Sequence, residues 1–77
     1  MIIKTVVIGS PELIHLYECH GCRYEFGENE IVILELLDVD GTVLREVEVY
    51  PSSRTNVYFL ENGQTIDSFK IGTEKDS

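Results

Sequence analysis

Short runs rich in Val, Ile, Leu, Tyr and Phe alternate with turn signals along the whole chain. The turns are Gly9-Ser10-Pro11, His20-Gly21, Gly27-Glu28-Asn29, Asp40-Gly41, Pro51-Ser52-Ser53 and Asn62-Gly63, recurring about every eight to twelve residues. β-Branched and aromatic residues suit a pleated, half-buried surface, and the pattern predicts strands at about 2–8, 13–19, 22–26, 30–39, 42–50, 56–61 and 64–71. No window sustains the i, i+3, i+4, i+7 spacing of an amphipathic helix. The one rival is a short helix over 11–17, with Ser10 as N-cap and Pro11 in its first turn. The expected fold is all-β: a small antiparallel barrel or two-layer sandwich of six or seven short strands with hairpin (meander) connections. A single domain spans 1–72, and 73–77 forms a polar, frayed tail.

Two dipeptides carry strong hairpin chemistry. Asp40-Gly41 and Asn62-Gly63 tolerate positive φ at both central positions, as a type I′ turn requires. A turn at Asp40-Gly41 sets Leu37 opposite Leu44, Leu36 opposite Arg45, Glu35 opposite Glu46, Leu34 opposite Val47, Ile33 opposite Glu48 and Val32 opposite Val49. One face then collects Val32, Leu34, Leu36, Val43, Val47 and Val49 and becomes the core face. The other is mixed and carries Ile31, Ile33, Glu35, Leu37, Leu44, Glu46, Glu48 and Tyr50. A turn at Asn62-Gly63 pairs Leu60 with Thr65 and Phe59 with Ile66. The inward phase of 64–71 then slips by one residue, which predicts a bulge near Asp67-Ser68.

The chain has 77 residues and a formal net charge of −8. That length allows one domain. The charge excludes nucleic-acid binding through a general basic surface, because phosphate contacts need Lys and Arg in number. It also argues against an interfacial polybasic helix, and no apolar run approaches the roughly 20 residues of a membrane span. The acidity is local: residues 12–48 hold ten acids against Arg23 and Arg45, whereas 49–77 are nearly balanced. It keeps a small protein dispersed, and it also supplies a docking surface for a basic partner. Like charges directly opposed across strands destabilise a sheet, and Glu35 opposite Glu46 is such a pair. A partner bringing Lys or Arg would relieve it, while Ile33 and Tyr50 offer apolar area. As an acid–base pair these carboxylates are poor candidates, since an exposed strand face offers no desolvation to separate their pKa values.

Cys19-His20-Gly21-Cys22 is the one recognisable chemical motif, and three readings of it stay open. If His20-Gly21 is a hairpin turn, Cys19 faces Cys22, Glu18 faces Arg23 and Tyr17 faces Tyr24, with the thiols as small buried hydrophobes. The run Tyr17-Glu18-Cys19-His20-Gly21-Cys22-Arg23-Tyr24-Glu25-Phe26 also resembles the first knuckle of a zinc ribbon. That resemblance implies zinc on Cys19, Cys22 and His20 or His15. Arg23 stands where such knuckles carry Gly, and a fourth ligand has to come from elsewhere, as from a second chain. The CxxC spacing is also that of thioredoxin-like proteins, and Val57 to Gln64 looks like the hairpin of that fold. Only eight residues separate Cys22 from Ile31, too few for the helix that would activate the thiol, and Thr55-Asn56 replaces the expected proline.

His15 is in phase with Tyr17 and faces the edge of the core. Ser52-Ser53-Arg54-Thr55 is a polar loop suited to hold an anion or to serve as a plain connection. No Ser-His-Asp logic or Gly-rich phosphate loop is present. With no apolar leader after Met1, a cytoplasmic protein with reduced thiols is expected.

The leading expectation is a small acidic protein-binding module that modulates or inhibits a basic partner protein, in one version by imitating nucleic-acid phosphates. Its contact residues would be Glu35, Glu46, Glu48, Ile33 and Tyr50. No cofactor is expected beyond zinc at the cysteines, and enzymatic activity is disfavoured. A zinc-binding or thiol-active module is the alternative. A subunit of a larger assembly is another, because a thin core and open sheet edges favour a homodimer.

Overall fold

The computed structural model describes residues 1–9 and 11–72. Ser10, the N-cap of the rival helix, and the tail 73–77 lie outside the described residues. Seven strands run β1 (Ile2–Val7), β2 (Leu13–Glu18), β3 (Gly21–Phe26), β4 (Val32–Leu37), β5 (Val43–Val49), β6 (Thr55–Glu61) and β7 (Gln64–Ile71), with a 3₁₀ turn at Glu28–Glu30. The rival helix over 11–17 gives way to β2. A four-stranded sheet has the order β2-β1-β6-β7 and a three-stranded sheet the order β3-β4-β5, every neighbouring pair antiparallel. The two sheets are separate, so the molecule is a two-layer sandwich and not a closed barrel.

Alternation builds the core. β4 is buried at Val32, Leu34 and Leu36 and half-buried between them, the period of two expected when one face is covered. These three side chains meet Ile3 of β1, Val57 and Phe59 of β6, Ile71 of β7 and Val49 of β5 in one cluster. Tyr24 of β3 spans the layers, its ring 5.0 Å from that of Phe69 and 6.3 Å from that of Phe59. At the other edge the Arg45 guanidinium lies 5.1 Å from the Tyr17 ring centre, a cation–π contact between sheets.

The two hairpins that look alike in sequence differ in structure. At Asn62-Gly63 both residues have positive φ, 52° and 76°, and Glu61 faces Gln64, as a type I′ turn demands. At Asp40-Gly41 only Gly41 has positive φ. Gly41 N–H donates to the Asp38 carbonyl and Asp38 N–H to that of Thr42, which makes a three-residue loop. Asp40 stabilises this loop by accepting from the Thr42 amide at 3.0 Å, and its hydrogen bonds with Thr42 hold its carboxyl below the usual range. The extra loop residue pairs Leu37 with Val43 instead of Leu44. A register shift beside Leu36 and Leu37 absorbs it, and from Leu36/Arg45 to Val32/Val49 the expected pairs are all formed. Val43, expected on the core face, is exposed here.

On β7 the bulge falls at Ile66 and not at Asp67-Ser68. Phe59 therefore faces Asp67, and Ile66, the extra residue, is exposed at the rim of a depression that Met1, Cys22, Tyr24 and Phe59 also line. The slip restores Phe69 and Ile71 to the inner side, which is the phase change the sequence required.

Candidate functional site

The outer face of β3-β4-β5 gathers four of the acidic residues, Glu25, Glu35, Glu46 and Glu48. Cross-strand rows run Arg23–Glu35–Glu46 and Glu25–Ile33–Glu48. Every residue expected at the contact surface is on this side: Glu35 and Ile33 are half-buried on β4, and Glu46 and Glu48 are exposed on β5. Tyr50 follows β5 directly and donates its hydroxyl to Glu48 Oε1 at 2.8 Å. That bond pushes the Tyr50 hydroxyl pKa up, because losing the proton would abolish it and set two negative charges together.

Arg23 and Glu25 join the surface from β3, and the sequence argument did not bring them there. Arg23 Nε and Nη2 each lie 3.1 Å from Glu35 Oε1, an ion pair across the β3–β4 ladder. The Arg23 side chain is 62% exposed and that of Glu35 only 21%. The repulsion between Glu35 and Glu46 is therefore partly relieved within the chain. What remains unbalanced is Glu25, Glu46 and Glu48, which shifts the candidate contact away from Glu35. The signal was available: the Gly27-Glu28-Asn29 turn joins 22–26 to 30–39 and makes them hairpin neighbours.

The cysteine motif is not a hairpin turn. β2 pairs with β1 and β3 with β4, so Cys19/Cys22, Glu18/Arg23 and Tyr17/Tyr24 are not cross-strand pairs. Cys19-His20 instead carries the chain between sheets. Cys19 N–H donates to the Met1 carbonyl of one sheet and His20 N–H to the Leu37 carbonyl of the other. Arg23 gains Glu35 in place of Glu18, and Tyr24 gains the two phenylalanines.

Both thiols are free, half-buried and packed against the core. Desolvation pushes the Cys19 thiol pKa up. Cys22 rises to about 11 through desolvation first, then the neighbouring Cys19 and Glu35. A raised pKa keeps a thiol protonated and poorly nucleophilic. His20 is exposed on the rim of an open depression of about 610 Å³, which Glu18, Cys19 and Asp38 also line. Among the described residues no group of three or more His, Cys, Asp or Glu side chains is placed to hold a metal ion.

His15 stacks on Tyr17 with ring centres 6.3 Å apart. The 52–55 loop serves as the second crossing between sheets. Thr55 Oγ1 donates to the Ser53 carbonyl at 3.0 Å, and the Arg54 carbonyl accepts from Ile8 N–H at 2.7 Å. Comparison of the chain with protein-family models, with curated proteins and with solved structures gives no match.

Proposed function

We propose that this chain is a protein-binding module that docks a basic partner protein through the outer face of β3-β4-β5 and so modulates or inhibits it. The observation that carries the reading is the set of four carboxylates on one regular face, Glu25, Glu35, Glu46 and Glu48, against the single guanidinium of Arg23. Such a surface steers a basic partner by its field. Ile33 and Tyr50 lie among the acids and supply apolar contact at the centre. Glu46 and Glu48, two residues apart on one strand, stand about 6.8 Å from each other. A row of negative charges at that spacing suits a partner whose own basic surface engages phosphates.

Glu25, Glu46 and Glu48 are the residues to reverse, because Glu35 is engaged by Arg23. A triple variant carrying Glu25→Lys, Glu46→Lys and Glu48→Lys should keep the wild-type melting temperature within a few degrees. Proteins held from host lysate by the immobilised wild type and lost by the variant would then be purified and titrated. The expected result is at least a tenfold loss of affinity, about 1.4 kcal/mol, and displacement of the wild type by duplex DNA. A partner that binds both proteins equally refutes the acidic face as the contact.

A further inference from the structure

The opposite side of the sandwich is apolar where it should be wet. The outer face of β2-β1-β6-β7 presents Ile2, Val6, Ile14, Leu16, Tyr58 and Leu60 in adjoining rows set by the register. Leu16 is 65% exposed and Ile14 53%. Val6 is buried although it lies outside the core cluster, at the floor of a shallow groove that Lys4, Ile14, Tyr58 and Leu60 also line. Contiguous apolar surface of this kind on a small domain marks an interaction site.

The charges on and around it, Lys4 and Lys70 against Glu12 and Glu18, balance, whereas the chain as a whole carries −8. Lys4 sits near the centre, its ammonium 5.8 Å from the Tyr58 ring centre. Glu18 occupies one corner, in the row of Ile2 and Leu60, and Lys70 the diagonally opposite corner, in the row of Ile14, Val6 and Asn56. A twofold axis lying between two copies along the other diagonal exchanges these corners. It sets each Glu18 against the other copy's Lys70, brings the two Lys4 side chains, each beside its own Tyr58 ring, close to the axis, and turns the strands of the two sheets across one another, a known sheet packing.

We infer that this face binds a second copy of the chain. Charge argues for this occupant: the face carries acids and bases in equal number, with Glu18 and Lys70 complementary at its corners, whereas elsewhere a chain of net charge −8 repels its own copy. In the stacked dimer the two acidic faces point away on opposite sides. About three sheet spacings, roughly 30 Å, then separate them, several times the Debye length of about 8 Å at physiological salt. Four strands of six residues give a flat footprint of about 400 Å² per copy, or about 800 Å² in total before side-chain relief is added. That is close to the roughly 1,000 Å² of the smallest specific interfaces, so the dimer is weak and forms in the micromolar range. Each dimer offers two acidic faces, which strengthens attachment to any partner that repeats. The inference stands apart from the acidic-face reading, since self-association involves none of the residues reversed in that test.

Sedimentation velocity from about 5 µM to about 1 mM tests it. The wild type should pass from monomer to dimer over that range. Leu16→Glu, at an exposed position of an edge strand, should weaken the dimer at least tenfold with no loss of melting temperature. Glu18→Lys and Lys70→Glu should each weaken it threefold or more, and the two together should restore it. A wild type that stays monomeric throughout, an unaffected Leu16→Glu variant, or a charge swap that fails to restore association overturns the inference.

Discussion

The two outer faces of this sandwich share one core and differ in nearly everything else. On β4 the pattern Val-Ile-Leu-Glu-Leu-Leu sends Val32, Leu34 and Leu36 inward and gives the outside half-covered Ile33, Glu35 and Leu37. On β2 the pattern Leu-Ile-His-Leu-Tyr-Glu places Ile14 and Leu16 outside, while His15 and Tyr17 face the other sheet. Period-two alternation specifies which residues share a face, but not which face is wet. Where charge alternates with bulk, as on β4 and β5, the wet face declares itself. Where both faces are apolar, only the pairing partners decide, and the exposed remainder is a surface in want of cover.

The largest effect comes from removing what the two faces have in common. Leu34 is wholly buried at the junction of the sheets. Leu34→Ala should cost about 2–5 kcal/mol through lost burial and a residual cavity, much of the 5–15 kcal/mol that a native domain has to lose. Urea unfolding of the variant checks this. A loss under about 1 kcal/mol means that Leu34 does not join the sheets as described.

Most of that architecture was legible in the chain. All seven strands were, because turn residues punctuate apolar runs that each keep one phase. The Glu35/Glu46 register was also legible, although the turn behind it is of another type. A three-residue loop and a compensating register shift leave the distal pairs where a two-residue turn would have put them. Two things were hidden. His20-Gly21 reads as a turn because Glu18/Arg23 and Tyr17/Tyr24 are good pairs locally, yet longer-range partners satisfy those same residues better. Arg23 was missed at the acidic face for the same reason, since local pairing had already assigned it to Glu18. Local pairing gives sequence neighbours contacts that belong to spatial neighbours.

The seam between the sheets offers the next test, because Cys22 packs where the two layers meet. Its thiol, pushed up to about 11, holds its proton more tightly in the folded chain than in the unfolded one, where the ordinary value of 9.0 applies. The stability this contributes is complete below pH 9 and is lost as the pH climbs through 11. At pH 8 the thiolate fraction of Cys22 is roughly a hundredfold below that of an ordinary thiol. In a Cys19→Ser background, which removes the Cys19 contribution but keeps desolvation and Glu35, iodoacetamide should still label the native protein more slowly than the urea-unfolded one. Equal rates would mean that the seam is open to water.

Salt separates the faces directly. Between about 0.05 M and about 0.5 M NaCl, a complex made through Glu25, Glu46 and Glu48 should weaken at least tenfold, because exposed charges carry it. The dimer made through Leu16 and its apolar neighbours should change less than threefold, since burial dominates it and only its corner charges are screened. Titration of a purified partner beside sedimentation of the chain alone, at both salts, measures the contrast. Equal salt dependence would erase the distinction between the faces.

The smallest expected effect tests whether the acidic face is costly to the fold. In the row Arg23–Glu35–Glu46, the guanidinium satisfies one side of Glu35 and a like charge opposes the other. Glu46→Lys turns the row into alternating charges and should raise stability by about 0.2–1 kcal/mol, the range of a favourable cross-strand pair. Glu46→Gln, which only removes the repulsion, should fall between Glu46→Lys and the wild type. The gain should shrink in high salt, because all three side chains reach solvent. A stabilised Glu46→Lys chain that binds a basic partner less well would mean that the same carboxylate weakens the sheet and strengthens the contact. A destabilised one would mean that Glu46 already has a favourable environment within the chain, and the opposed pair would then lose its force as a sign of an external partner.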